Sequence, residues 1–130
     1  MTDTIAERKV VLVIDDDEDF CASMRELLVD AGYDVVTRSS GRQALDLLHG
    51  DLACRPAAVI MDLRMPDMDG YAFLAACELE PRLRELPVIV VSAYGDPSGV
   101  ELDFFQKPIN VSRLLRSLAK IMSSSVRATA

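Results

Sequence analysis

Five polar side chains of this sequence each lie at or just after the end of an apolar segment. They are three aspartates, a serine and a lysine, namely Asp15, Asp16, Asp62, Ser92 and Lys107. If the apolar segments are neighbouring parallel strands, about 5 Å apart, their ends meet at one edge of a sheet. The sequence therefore predicts a cleft that contains three carboxylates, a hydroxyl and an ammonium.

The chemistry of such a cleft is restricted by its charge. Three close carboxylates repel one another, and without a counter-charge some of them would be protonated. A divalent cation removes this conflict, and hard oxygen ligands favour Mg²⁺ first, with Mn²⁺ or Ca²⁺ next. The lysine and the serine suit phosphoryl oxygens, and an aspartate beside Mg²⁺ can act as a nucleophile that forms an aspartyl phosphate. We therefore expect phosphoryl transfer, driven by positioning and charge neutralisation.

Strand-like and helix-like segments alternate along the chain. Continuous β-branched or apolar runs predict strands, and apolar residues at three- and four-residue spacing predict helices. The predicted strands are 10–14, 35–37, 57–61, 87–91 and 104–105, and the predicted helices are 18–31, 41–48, 71–79 and 110–122. This alternation predicts an α/β fold, with an open parallel sheet covered by helices on both faces.

Composition sets limits on class and location. The chain has 130 residues, which predicts one domain, here 1–122, followed by a small, polar and flexible tail over 123–130. Its formal net charge of -7 argues against a nucleic-acid partner. No apolar run is long enough to span a membrane, and the N-terminus lacks the apolar core of a signal peptide. The three scattered cysteines indicate reduced thiols in a cytoplasmic protein.

Four segments together resemble the receiver domain of two-component response regulators, of the stand-alone, chemotaxis-regulator-like type. They occur in the family's order at residues 10–17, 61–70, 91–93 and 107–108. The resemblance covers about residues 8–122, and the segment from Met61 to Gly70 is its most specific part. It implies a flavodoxin-like, doubly wound sheet of five parallel strands in the order 2-1-3-4-5.

The resemblance also implies a role for each candidate residue. Asp62 would accept the phosphoryl group from a histidine kinase, a phosphotransfer protein or a small phosphodonor. The implied Mg²⁺ ligands, for which Mn²⁺ is a possible substitute, are Asp15, Asp16, Asp62 and the backbone carbonyl of Arg64. The residues implied to bind the phosphoryl group or to switch on phosphorylation are Ser92, Lys107 and Phe104. The Lys107–Pro108 bond is implied to be cis, and the side chains of Arg64 and Tyr94 are implied to tune hydrolysis.

The interval from Ser92 to Lys107 is shorter than is usual in the family. It contains Gly95, Pro97 and Gly99, which are poor helix residues. The fourth helix of the fold is therefore predicted to be shortened or absent. Losing that helix would expose an apolar patch on the fourth and fifth strands, which suggests a homodimer through this region.

Other functions compete with a phosphoacceptor switch that signals to a downstream protein target. A receiver-like interaction module that works without phosphorylation is the main alternative. A Mg²⁺-dependent phosphohydrolase would use Asp15 and Asp17 as a D-x-D pair, but no segment for substrate choice is visible in the sequence. An EF-hand beginning at Asp15 conflicts with Phe20, which stands where that loop needs glycine. We expect no turnover of an independent substrate, and thus no enzyme in that sense.

Overall fold

A computed structural model describes residues 9–50, 55–93 and 103–129, with side chains described up to residue 123. Five parallel strands form one sheet in the order β2-β1-β3-β4-β5, which confirms the predicted topology. The strands are β1 Val10–Ile14, β2 Asp34–Arg38, β3 Ala58–Asp62, β4 Val88–Ser92 and β5 Asp103–Gln106.

Helices follow the strands along the chain. They are α1 Glu18–Asp30, α2 Gly41–Gly50, α3 Gly70–Glu78, α4 Pro81–Arg84 and α5 Val111–Thr129. The single-turn helix α4, which begins at a proline, lies between α3 and β4 and was not predicted. The last helix continues to Thr129, past the predicted end at Met122. No helix in the described parts of the chain is both long and apolar enough to cross a membrane.

The sheet separates two apolar cores, as expected for strands buried on both faces. One core joins alternate strand residues to α2, α3 and α4 through residues such as Leu45, Phe73 and Leu83. The other joins the opposite strand faces to α1 and α5 through residues such as Met24 and Leu118. Helices therefore cover both faces, which confirms the doubly wound architecture.

Local signals in the sequence fix where helices begin and end. Asp17 is the N-cap of α1, and its carboxylate accepts hydrogen bonds from two backbone N–H groups of the first turn. At the other end of α1, Gly32 has a φ of 103°, and the N–H groups of Gly32 and Tyr33 donate to the carbonyls of Val29 and Leu28. This is a Schellman motif, which needs the left-handed conformation that glycine adopts without strain.

The prediction that the fourth strand exposes an apolar patch is wrong. The four apolar side chains of β4, from Val88 to Val91, are all buried. Leu83 of α4 and the neighbouring Leu86 belong to the same core as Val88, so they provide cover that the sequence did not predict. The predicted loss of the fourth helix concerns 93–103, of which residues 94–102 lie outside the described part of the chain.

Candidate functional site

The candidate site lies where four strands end at the carboxyl edge of the sheet. Asp62 is the last residue of β3 and pairs in register with Val91 of β4. Ser92 is the last residue of β4, and its carbonyl accepts a hydrogen bond from the backbone N–H of Lys107 at 2.8 Å. The sheet register therefore brings the ends of β3, β4 and β5 next to one another.

Three carboxylates meet at this edge. One carboxylate oxygen from each of Asp15, Asp16 and Asp62 lies within 4.8 Å of the other two. Asp15 is 1% exposed and Asp62 is 8% exposed, whereas Asp16 is exposed. One edge of the cluster therefore opens to solvent.

Lys107 brings a positive charge into this cluster. Its Nζ lies 2.8 Å from Oδ2 of Asp15 and 3.6 Å from Oδ2 of Asp62. The three carboxylates and this one ammonium leave two formal negative charges uncompensated among them. That remainder equals the charge of one divalent cation.

Burial and pairing shift the ionisation of two of these groups. Burial raises the pKa of Asp15, although hydrogen bonds from Lys107 and from the backbone N–H of Asp17 oppose the rise. Burial disfavours the charged form of Lys107, but its hydrogen bond to Asp15 and the nearby carboxylates outweigh this effect and raise its pKa. Lys107 therefore stays cationic at neutral pH and can pair with anionic oxygens.

Backbone groups hold the two buried carboxylates in place. The N–H of Asp17 donates to Oδ1 of Asp15 at 2.9 Å, and the N–H of Arg64 donates to Oδ1 of Asp62 at 3.2 Å. The start of α3 also packs tightly against the end of β3. A Cβ at Gly70 would lie 2.8 Å from the carbonyl oxygen of Asp62, so only glycine fits there without displacing the backbone.

The remaining predicted residues are distributed around this cluster. Ser92 is 1% exposed at the end of β4, and the Arg64 side chain is exposed in the loop after β3. Phe104 of β5 is half-buried against the core on the α3 side of the sheet. The peptide bond between Lys107 and Pro108 is cis. Tyr94, predicted to tune hydrolysis, lies outside the described residues.

Two neighbours of the cluster were missed by sequence reasoning. The ring of Phe20 lies under the Lys107 ammonium, with 4.2 Å from Nζ to the ring centroid. The Cys21 thiol donates to the Asp15 carbonyl at 3.3 Å, and burial, followed by the charges of Asp15 and Asp17, raises its pKa to about 11. That thiol is therefore protonated at neutral pH and is not a nucleophile. Helical periodicity identified Phe20 only as an apolar residue of α1, and the sequence carries no signal for either contact.

The donor set fits a hard divalent cation. Three carboxylates from two different strand ends converge within the space of one ion's coordination sphere. Both oxygens of Asp15 already accept hydrogen bonds, one from Asp17 and one from Lys107. The exposed carboxylate of Asp16 is therefore the most available ligand for direct coordination.

A doubly wound sheet with an acidic cleft at its carboxyl edge is the architecture of a receiver-type α/β domain. The family model of the response regulator receiver domain matches residues 11–119. The chain therefore belongs to the receiver domain family of two-component response regulators, which are phosphoacceptor signalling modules.

Individual relatives agree with this assignment. The chain is 39% identical to the C4-dicarboxylate transport transcriptional regulatory protein DctD of Rhizobium meliloti, over 82% of this chain and 24% of that protein. It is 27% identical to the polar-differentiation response regulator DivK of Brucella anthropi, over 90% of this chain and 98% of DivK. The chemotaxis response regulator CheY4 of Vibrio cholerae superposes with a TM-score of 0.77 at 27% identity, covering 88% of this chain and 98% of CheY4. The chain thus spans only a quarter of the length of DctD.

Proposed function

We propose that this chain is a phosphorylation-activated switch of a two-component phosphorelay and that Asp62 accepts the phosphoryl group. The observation that carries the proposal is the Lys107 ammonium, 2.8 Å from Asp15 and 3.6 Å from Asp62, inside a cluster of three carboxylates. Phosphoryl transfer to Asp62 requires a cation-binding cluster and a positive charge beside its carboxylate, which is buried but keeps 8% exposure.

In the proposed step the Asp62 carboxylate becomes an acyl phosphate. An oxygen of Asp62 attacks the phosphorus of a phosphohistidine on a histidine kinase or phosphotransfer protein, forming a P–O bond while the P–N bond breaks and the imidazole leaves. Water later attacks the same phosphorus, the P–O bond to Asp62 breaks, and inorganic phosphate leaves while the Asp62 carboxylate is restored. In this proposal the chain promotes its own phosphorylation and dephosphorylation and turns over no independent substrate.

Each neighbouring residue has a proposed part in that step. Mg²⁺, or Mn²⁺ in its place, would be held by Asp15, Asp16, Asp62 and the Arg64 carbonyl, and would neutralise charge on the phosphoryl oxygens. Lys107 pairs with one phosphoryl oxygen, and the Ser92 hydroxyl donates to another. Phe104 changes its packing on phosphorylation, and the side chains of Arg64 and Tyr94 tune the rate of hydrolysis.

The output is proposed to be a protein–protein interaction. We infer a downstream protein target and no nucleic-acid or membrane partner, because the net charge of -7 opposes binding to polyanions. We also infer a cytoplasmic location, and the free thiols of Cys21 and Cys77 support it.

A homodimer through β4 and β5 is a secondary proposal. Its support is the half-buried pair Phe104 and Phe105 on β5, which lies at the edge of the sheet. The side chains of β4 are buried and therefore do not support a dimer. Light scattering at tens of micromolar tests it directly: the mass of two chains supports the dimer, and the mass of one chain removes it.

The phosphoacceptor proposal is tested with acetyl phosphate and intact-protein mass spectrometry. Wild-type protein with Mg²⁺ should gain the mass of one phosphoryl group, and the gain should disappear with EDTA or in Asp62→Asn. Asp46→Asn, an exposed substitution on α2, is the matched control and should label like wild type. No labelling of wild type would favour the phosphorylation-independent interaction module. Labelling on Asp15 with continuing turnover would favour a phosphohydrolase.

A further inference from the structure

The Lys107 ammonium has an aromatic neighbour that comes from a different element. Lys107 follows β5, whereas Phe20 lies in the first turn of α1. The Nζ atom lies 4.2 Å from the centroid of the Phe20 ring. A cation within about 6 Å of a ring centroid is attracted by the negative face of the π-system.

The ring and the carboxylates surround the same charge. The ammonium donates to Oδ2 of Asp15 at 2.8 Å and lies 3.6 Å from Oδ2 of Asp62. The Lys107 side chain is 20% exposed, so water competes only weakly for the ammonium. An ammonium has three N–H donors, and a ring face can hold it without consuming an acceptor oxygen.

Phe20 is itself fixed in position. Its backbone N–H donates to the Asp17 carboxylate at 3.2 Å, as part of the N-cap of α1. Its half-buried ring packs against the core on the α1 and α5 side of the sheet. The position of the ring therefore depends on the start of α1 and on the apolar core. It does not depend on the three carboxylates of the cluster.

The carboxylate partners of Lys107 change during the proposed reaction, but the ring does not. Asp15 and Asp62 would also be the residues that hold a cation, so their carboxylates would no longer serve Lys107 alone. Phosphorylation would further convert the Asp62 carboxylate into an acyl phosphate. We infer that Phe20 is a positioning residue that keeps the Lys107 ammonium in the cleft while its carboxylate partners are taken up by the cation and the phosphoryl group. This inference rests on the proposed phosphoacceptor function.

The first test observes the contact itself, without metal or phosphodonor. The ε-methylene protons of Lys107 should resonate upfield in the NMR spectrum of wild-type protein, because they lie near the face of an aromatic ring. Phe20→Leu and Phe20→Met should move them back towards the ordinary lysine position, and Phe20→Tyr should restore the upfield shift. Tyr33→Leu, a matched loss of a half-buried ring from the same core, should leave them unchanged.

The second test measures the rate of labelling by acetyl phosphate at saturating Mg²⁺. Loss of one partly desolvated cation–π contact predicts a rate about two- to fivefold lower in Phe20→Leu and Phe20→Met. Phe20→Tyr should restore the wild-type rate, and Tyr33→Leu should retain it. If Phe20 acted only through packing, an aromatic side chain would not selectively restore the labelling rate.

Three results would overturn the inference. The first is a Lys107 resonance that does not respond to Phe20→Leu or Phe20→Met. The second is a labelling rate that Phe20→Tyr fails to rescue. The third is slower transfer from a histidine kinase with an unchanged acetyl phosphate rate, which would make Phe20 a kinase-docking residue. If wild-type protein is not labelled at all, the phosphoacceptor proposal fails, while the NMR shifts still decide whether Phe20 holds Lys107.

Discussion

Asp15 is the most deeply buried carboxylate of the cluster, and its environment is divided between opposing effects. Asp15 is 1% exposed, and burial disfavours its ionised form. Lys107 at 2.8 Å and the N–H of Asp17 at 2.9 Å favour that form. The net result is a raised pKa, so the ionised carboxylate is tolerated in the folded protein rather than strongly stabilised.

Replacing Asp15 with asparagine should change how stability depends on pH. Because the folded-state pKa of Asp15 is raised, the native state binds its proton more tightly than the unfolded state. The resulting stability is present below the unfolded value of about 3.9 and is lost as the pH rises through the folded value. Wild type should therefore lose stability relative to Asp15→Asn from acid to neutral pH, by about 1.4 kcal/mol per unit of pKa rise.

Urea unfolding of wild type and Asp15→Asn between about pH 4 and pH 7, without divalent cations, measures this difference. Asp46→Asn, an exposed aspartate on α2, is the control and should follow the wild-type profile. If Asp15→Asn became steadily less stable than wild type towards neutral pH, the Lys107 ion pair would outweigh burial, and the prediction would be wrong.

The sequence predicted which residues of the site lie close together, but it did not predict their side-chain contacts. The positions of Asp62 and Ser92 followed from strand ends, because the carboxyl ends of parallel strands share an edge. The contact of Lys107 with the Phe20 ring depends on the path of the chain after β5 and on the rotation of α1. Neither is encoded in residue spacing.

The connection from β3 to α3 positions the proposed acceptor through close backbone contact. A Cβ on Gly70 would lie 2.8 Å from the Asp62 carbonyl oxygen and 2.8 Å from the Leu63 Cα. Backbone atoms cannot move aside as a flexible side chain can. Gly70→Ala should therefore destabilise the protein by about 1–3 kcal/mol, as overpacking typically does, and should slow the labelling of Asp62.

Gly50→Ala provides the matched control for Gly70→Ala. Gly50 is the last residue of α2, and a Cβ there meets no atom within 4 Å. Alanine has a higher helix propensity than glycine, so this variant should be neutral or more stable by up to about 1 kcal/mol. Equal effects of the two substitutions, measured by urea unfolding, would show that the close approach at Gly70 is not what constrains this connection.

The elements differ in how readily the sequence revealed them. The central strands β1, β3 and β4 were predicted because strands buried on both faces read as continuous apolar runs. The edge strands β2 and β5 were predicted too short, because their ends carry polar residues such as Asp34 and Gln106. The helix α4 was missed because four residues are too few to show a helical period.

Over the whole molecule, the net charge of -7 is partly concentrated at the carboxyl edge of the sheet. A cation that binds this cluster in the native state has no comparable site in the unfolded chain. Mg²⁺ should therefore raise the free energy of unfolding, by about 2.7 kcal/mol at a concentration one hundred times its dissociation constant. Asp16→Asn, which removes the exposed carboxylate, should weaken this response.

Thermal or urea unfolding with and without Mg²⁺, at matched ionic strength, measures the response. Asp46→Asn lies outside the cluster and should keep the full wild-type stabilisation. Equal stabilisation of wild type, Asp16→Asn and Asp46→Asn would indicate general screening of the acidic surface instead of a site.

Asp62 is the residue proposed to carry the phosphoryl group. Borohydride reduces an aspartyl phosphate to homoserine, so the modified residue can be located by peptide mass spectrometry after treatment with acetyl phosphate and Mg²⁺. Homoserine is expected at residue 62, and only when Mg²⁺ is present. Homoserine at residue 15 or 16, or none in a fully folded protein, would contradict it.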